Sequence, residues 1–489
     1  MIRNLFTTFF VLLTIQMVNG QNFRNLDFSK FCDTSKTGLC YWDLSWGAKE
    51  AVSPVVINKN KTLFIEGKNT NSVGFVEQTT SYSSPEIKIL TVTALIKTDS
   101  VEGKGAGLNI GLYDSTGELI SNKDMGGYYS LDWIRGTKDW NDHTISIVCP
   151  PQAKKIKVGM ILYGKGKAWF KDYQVKSIDI DNQKPNTIAI KYITAAIDSI
   201  KMHSLVRDSL DIDVLKLMAL KIAGQAKKYS DCYLAVNYLL EALRQYGDRH
   251  SFFMSANEVK NWKNEGSEVI KVQMPSYSIV DSCGVIIVPA FHGGNTRQML
   301  TYAASLQTAI LKLSKQGIKG WIIDLRQNTG GNMAPMIAGL GPLFTSKKLG
   351  SLVDVNGNHD SWYYVNGRYY WDTDTGLTIK PPVQIPSKLP VAVLTSSKTG
   401  SSGEAVVVSF IGNAKTKLIG QPTWGLTTGN GSFDLPDGSR IYLASTIMAD
   451  RNNKLYRGRI EPDILIEEKE ISMDDKVYDV AKRWILSQE

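Results

Sequence analysis

The residues best able to do chemistry lie in one short stretch. Ser396-Ser397-Lys398-Thr399-Gly400-Ser401-Ser402-Gly403-Glu404 follows the apolar run Val391-Ala392-Val393-Leu394-Thr395, and a helix with Ala405, Val406, Val408 and Phe410 as its apolar positions opens after it. A Gly-flanked turn between a buried strand and a helix exposes a hydroxyl, and the free N–H groups at the helix start favour a developing anion. A serine nucleophile needs a base. Five histidines are available: His143, His203, His250, His292 and His359. His143 lies among strand-type residues, His203 on a helical stretch and His359 in a polar insertion. His250, at a helix exit beside Gly247-Asp248, is the natural candidate, and His292 is the runner-up. The spacing Gly400-Ser401-Ser402-Gly403 does not fit the nucleophile elbow of an α/β-hydrolase. There is no P-loop, no dinucleotide fingerprint after a strand and no zinc-protease helix. Nothing in the sequence calls for a metal or a cofactor.

These residues must be positioned by elements that the hydrophobic pattern makes visible. Gly284-Val285-Ile286-Ile287-Val288 reads as a buried strand, Met299, Tyr302, Ala303, Leu306, Ile310 and Leu313 as a helix face, and Trp321-Ile322-Ile323-Asp324-Leu325 as the next strand. Strands alternating with helices predict an α/β domain with its site at strand ends. Upstream, Ile188, Tyr192, Ala196 and Ile200, then Val214, Leu215, Met218 and Ile222, then Cys232, Val236, Leu239 and Leu243 mark three helices. Gly247 is placed to end the third of them.

The first part of the chain has another character. Ile87–Thr93 and Gly107–Leu112 have strand composition, separated by Gly, Asn, Ser and Asp turns. Many such short strands predict an all-β sandwich of jelly-roll type. Trp42, Trp46, Trp133, Trp140 and Trp169 lie here. Exposed indoles could stack on sugar faces, although a strand Trp commonly packs into a core. Cys32 and Cys40 are close enough to bridge a small loop, whereas Cys149, Cys232 and Cys283 read as buried thiols.

Arg3, the apolar run Leu5–Val18 and the small residue Gly20 describe a secretory signal peptide over residues 1–20. The mature chain is expected to be exported, periplasmic or extracellular, with no stable membrane span. The expected boundaries are 21–181 for the β-sandwich, 182–262 for a helical segment and 263–489 for the α/β domain. The net charge of +9 is dispersed, without a Lys/Arg block of five or more, so nucleic acid is not an expected partner.

Three motifs together resemble the C-terminal-processing (tail-specific) serine peptidases, on their tricorn-like Ser/His side. Ile323-Asp324-Leu325-Arg326-Gln327-Asn328-Thr329-Gly330-Gly331-Asn332 is similar to the family's IDLRxNxGG turn, Thr399–Glu404 to its nucleophile turn, and Tyr246-Gly247-Asp248-Arg249-His250-Ser251 to the GDxHS segment of its histidine-using members. Arg459-Ile460-Glu461-Pro462-Asp463-Ile464 adds a weaker match. The resemblance spans roughly residues 186 to 470. It implies a ClpP/crotonase-like α/β core, Ser401 as nucleophile, His250 as general base and then acid, and Glu461 as an orienting carboxylate. It also implies an oxyanion hole from the N–H groups of Gly330 or Gly331 and of Ser402. Asp324 and Arg326 then read as a structural ion pair, Asp248 as a turn cap, and Glu404 as either catalytic or a helix cap. The segment Gly136–Trp140, with Ile156–Gly159 and Gly164–Asp172, resembles galactose-binding-like jelly rolls found as carbohydrate-binding modules.

Two departures from the family pattern matter. Leu426, in Thr423-Trp424-Gly425-Leu426, stands where Ser/Lys members carry the dyad lysine, which leaves the base to His250. An unperturbed imidazole titrates at about 6.5, so activity is expected to rise through neutrality. Between Met254 and Cys283 only about thirty residues intervene, too few for a PDZ domain. The expected substrates are peptides or unfolded proteins, and the N-terminal domain is either a glycan-binding module or a structural accessory domain. Two other classes compete: a carbohydrate-binding protein on a silent peptidase-like scaffold, and a hydrolase of ester or glycosidic bonds. Glycosidase chemistry would need paired carboxylates, for which Glu461 with Asp463 is the best offer.

Overall fold

A computed structural model describes residues 23–33, 37–45, 52–53, 61–125, 133–181, 183–263, 272–293, 295–372, 376–385, 389–467 and 476–488. The proposed signal peptide and Trp46 lie outside the described residues. The chain divides into two compact units, Met1–Gln183 and Lys184–Glu489.

The first unit is β-rich. Its strands form one hydrogen-bonded antiparallel sheet that curls. Two long strands cause this. Lys88–Tyr113 and Lys155–Asp179 pair along most of their length, with register shifts near Glu102. Gly164 sits at that bend with φ +123°, and a Cβ there would lie 1.8 Å from the Glu102 carbonyl oxygen. Only a glycine lets the two backbones approach so closely. Alternation along these strands buries Leu90, Val92, Leu108, Ile110, Val158, Met160 and Phe170 in one core. Trp42 is fully buried there against Phe28 and Tyr173, and Trp133 is 6% exposed, so both are core residues. Cys32 and Cys40 form a disulfide, while Cys149, Cys232 and Cys283 are free and buried.

The second unit takes in the helices as well as the α/β region. Thr187–His203, Ile212–Ala223 and Tyr233–Gln245 are the three helices anticipated from spacing. A sheet runs in the order Ser276–Val280, Cys283–Ile287, Gly320–Asp324, Val391–Thr395, Thr416–Gly420 and Ile464–Leu465. The first pair is antiparallel and the rest are parallel. Helices Thr296–Ser314, Met333–Leu340 and Ser402–Phe410 contribute buried residues to a core that includes Ile286, Ile323 and Val393. Val477, Tyr478, Ala481 and Ile485 of the helix Lys476–Leu486 pack with Val285, Ile322 and Leu394, which alternate to the other face. A second, antiparallel sheet contains Lys348–Asp354, His359–Val365, Thr428–Asp434 and Arg440–Asp450. A short strand that the sequence reading missed, Phe252–Met254, pairs with Arg440–Asp450 and anchors the chain just after His250.

Candidate active site

The carboxyl ends of the parallel strands deliver three loops to one place. After Gly320–Asp324, Asp324 and Arg326 make an ion pair at 2.8 Å, both groups nearly fully buried, and the Tyr478 hydroxyl donates to Asp324 at 2.8 Å. This pair is structural, as anticipated. Asn328, fully buried, fixes the next turn: its Nδ2 donates to the Val288 carbonyl at 3.0 Å and its Oδ1 accepts the Gly330 N–H at 3.0 Å. The Asn328 carbonyl accepts the Gly400 N–H at 3.0 Å, which ties the glycine turn to the serine turn. The Ser396 hydroxyl donates to the Arg326 carbonyl at 2.6 Å and that of Thr399 to the Leu325 carbonyl at 2.9 Å.

Ser401 stands at the start of the helix Ser402–Phe410 with φ 51° and ψ −119°, a conformation uncommon for a residue with a side chain. Glu404 holds it there. One carboxylate oxygen accepts the Ser401 N–H at 2.8 Å, and the other accepts the Thr423 hydroxyl at 2.5 Å and the Gly425 N–H at 2.8 Å. Complete burial raises the Glu404 pKa, and these hydrogen bonds oppose the rise by favouring the charged form. Glu404 is thus a brace for the turn.

His250 reaches Ser401 from the other sheet. Its Nε2 lies 2.9 Å from Ser401 Oγ, across 151 residues of sequence. Asp248 caps the turn below it, accepting the His250 N–H at 3.0 Å and the Ser251 N–H at 2.9 Å, and Gly247 ends the preceding helix with φ +92°. On its far side, His250 Nδ1 meets the Thr428 hydroxyl at 2.7 Å. Among the described residues, no carboxylate is bonded there. Glu461, expected to orient the imidazole, is exposed, and its neighbour Ile460 exchanges hydrogen bonds of 2.9 and 3.1 Å with Thr423. Asp463 also has a structural role, accepting the Leu418 N–H at 2.8 Å. Thr428 was missed because no motif marks it; its only signal is that it begins a strand.

Burial of the His250 ring lowers its pKa from 6.5 to about 4, with the Asp248 charge and the Thr428 contact acting the other way. The sequence-based expectation of an ionisation near neutrality is corrected accordingly. The other histidines lie elsewhere or outside hydrogen-bond range of Ser401. His203 stacks on Phe433 at 4.3 Å between ring centres, and His359 Nδ1 meets the Ser351 hydroxyl at 3.0 Å. His292 lies beside Gly331, and burial lowers its pKa.

The oxyanion expectation is narrowed. The Gly330 N–H is occupied by Asn328, which removes it as a donor. Among the described residues, no acceptor pairs with the N–H of Gly331 or of Ser402. Gly331 has φ +100°, and a Cβ there would come within 2.0 Å of the Phe291 carbonyl oxygen. The Ser402 hydroxyl donates to the Gly331 carbonyl at 2.6 Å, holding the two turns together. Trp424, 52% exposed, stands beside Gly400, with its own N–H bonded to the Thr399 carbonyl at 2.8 Å. No group of three or more metal-ligating side chains occurs among the described residues.

Residues 282–466 match the family model described as peptidase family S41. The nisin-resistance protein of Lactococcus lactis subsp. lactis is 29% identical over 300 residues, covering 61% of this chain and 87% of that protein. The carboxy-terminal processing protease CtpA of Bacillus subtilis (strain 168) is 29% identical over 169 residues, 34% of this chain and 33% of its own length. A solved structure of a lipoprotein from Streptococcus agalactiae shares 26% identity, covering 63% of this chain and 98% of that one, with a TM-score of 0.49. The region matched by the S41 model lies within the second unit. The chain is a serine-type peptidase, a hydrolase acting on peptide or protein substrates.

Proposed function

We propose that the chain is an exported serine endopeptidase working through an acyl-enzyme on Ser401, with His250 as base. The observation that carries this reading is the 2.9 Å contact between His250 Nε2 and Ser401 Oγ. With the Nδ1 proton donated to Thr428, the Nε2 lone pair faces the serine hydroxyl, the tautomer that nucleophilic attack requires. Ser401 Oγ attacks the scissile carbonyl carbon as its proton passes to Nε2. The resulting oxyanion is met by the N–H groups of Gly331 and Ser402, each worth about 2.7–4 kcal/mol. His250 returns the proton to the leaving amine, then takes one from the water that cleaves the ester. Glu404 keeps Ser401 in its exposed conformation throughout. Peptides or unfolded proteins are the proposed substrates, entering past Trp424.

For the N-terminal unit we propose a jelly-roll-type fold with a glycan-binding role, and for the parallel sheet a ClpP/crotonase-like core. The strand-rich pattern and the helix-separated parallel strands respectively support these readings. The signal-peptide pattern of residues 1–20 supports export. No helix among the described residues is long and apolar enough to cross a membrane.

Treatment with a serine-reactive fluorophosphonate, followed by mapping of the labelled peptide, tests the catalytic reading. Label on Ser401 that disappears in Ser401→Ala is the expected result. Label confined to another serine, or none on an enzyme that cleaves casein, would overturn it.

A further inference from the structure

The first unit carries a cleft of about 510 Å3 that the peptidase chemistry does not use. It is lined by Trp140, Trp169, Lys97, Thr98, Asp99 and Thr137, together with Thr62. Sheet register explains how these residues meet. Lys97 lies directly opposite Trp169, and the pairing with the strand Ile134–Cys149 shifts between Ile96 and Thr98. That shift leaves Asp139 and Trp140 opposite Lys97 alone, a bulge of the kind that re-aims a side chain. The two half-buried indoles therefore stand two strand spacings apart, about 10 Å, with the Lys97 side chain between them.

The polar groups around the indoles are mixed in sign. Lys97 Nζ lies 3.5 Å from Asp139, Lys171 Nζ sits 4.4 Å over the Trp140 ring, and Asp99 accepts the Thr137 hydroxyl at 3.2 Å. Thr98, fully buried and opposite the fully buried Ala168, alternates to the core side of the sheet, so the cleft face is formed by its neighbours Lys97 and Asp99.

We infer that this cleft is a saccharide-binding site, the Trp140 and Trp169 indoles taking the C–H faces of successive sugar rings. The inference rests on the glycan-binding reading of this unit and adds the site and the residues that form it. A sugar ring presents an apolar face and a hydroxyl edge; indole planes beside Lys97, Asp99 and the Thr137 hydroxyl offer the complementary surface. An apolar partner would strand these polar groups without hydrogen bonds. A nucleic acid also stacks on indoles, but the Asp99 and Asp139 carboxylates would face its phosphates.

The test uses the full-length chain in native gels cast with laminarin, xylan or mannan, and an oligothymidylate in parallel. At least one polysaccharide is expected to retard the protein and shift its tryptophan emission. Trp140→Ala and Trp169→Ala should each weaken that binding tenfold or more while peptide hydrolysis is unchanged. Trp140→Phe and Trp169→Phe, which keep a smaller aromatic face, should each retain part of the binding with an unchanged thermal transition; these variants guard against misfolding of the alanine mutants. Undiminished retardation of the Trp140→Ala/Trp169→Ala protein would sink the site but leave the glycan-binding reading standing. No retardation by any of the three polysaccharides would sink both, and so would a response to oligothymidylate alone.

Discussion

His250 Nδ1 and the Thr428 hydroxyl stand 2.7 Å apart, so a neutral group occupies the side of the imidazole where a serine triad places a carboxylate. A hydroxyl can receive the Nδ1 proton and fix the ring, but it brings no charge to stabilise the imidazolium that forms during attack. Orientation is kept and electrostatic assistance is reduced. A single neutral hydrogen bond contributes about 0.5–1.5 kcal/mol. Thr428→Val should therefore lower kcat/KM by about tenfold, with KM little changed, and Thr428→Ser should restore most of the loss. Steady-state kinetics on one short peptide, for all three proteins, would show this.

Burial of His250 sets the pH behaviour. Its pKa is lowered to about 4, so the competent free imidazole is already present through neutrality. The kcat/KM profile should be flat from about pH 6 to 8 and fall only on the acid side, toward pH 4. Stability carries the same sign: between the unfolded value near 6.5 and the folded value near 4, the unfolded chain binds the extra proton, so stability falls as pH drops through that window. An acid limb centred near pH 7 in the kinetic profile would mean that the ring is more hydrated than its packing indicates.

The Glu404 carboxylate accepts from three donors at once, the Ser401 N–H, the Thr423 hydroxyl and the Gly425 N–H. In Glu404→Gln the amide –NH2 must face at least one of them. Loss of about 1–3 kcal/mol of stability is expected, along with loss of activity as the serine turn relaxes. Thermal unfolding followed beside peptide turnover separates this from a purely catalytic role, in which activity would fall with no change in the transition.

Gly331→Ala places a methyl group against the Phe291 carbonyl at a φ that disfavours any side chain. Displacing this N–H should cost about 100- to 1,000-fold in kcat, the usual loss for one oxyanion donor. Substrate affinity should change far less. Single-turnover measurements with an ester substrate would separate the two effects.

Which parts of this arrangement could be read from sequence follows from the range of the interactions. The strand Val391–Thr395, the serine turn and the helix after it were legible because a buried run, a Gly/Ser cluster and an apolar helix face are all local patterns. The Glu404 brace was half legible, since a carboxylate three residues after Ser401 also satisfies a helix start. Thr428 was not legible: it meets His250 across 178 residues, and only the antiparallel sheet brings them together. The expectation for Glu461 rests on a motif, which records residue type and not side-chain direction, and the residue is exposed. In the first unit, Ile87–Thr93 and Gly107–Leu112 looked like separate strands and belong largely to one, Lys88–Tyr113, because the bend between them carries turn-like residues without breaking the ladder. Val214, one of the residues whose spacing marks the second helix, is 51% exposed, since periodicity fixes a helix face more closely than its edges.

The most direct test of the Ser401–His250 pair is a double-mutant cycle on peptide hydrolysis, comparing the wild-type chain with Ser401→Ala, His250→Ala and the double variant. Members of one catalytic unit are strongly non-additive, each single loss elsewhere approaching about six orders of magnitude in rate. The expected result is that both single variants fall to nearly the same residual rate and that the double variant falls no further. Substantial turnover by His250→Ala, or losses that simply multiply in the double variant, would contradict a shared role for Ser401 and His250.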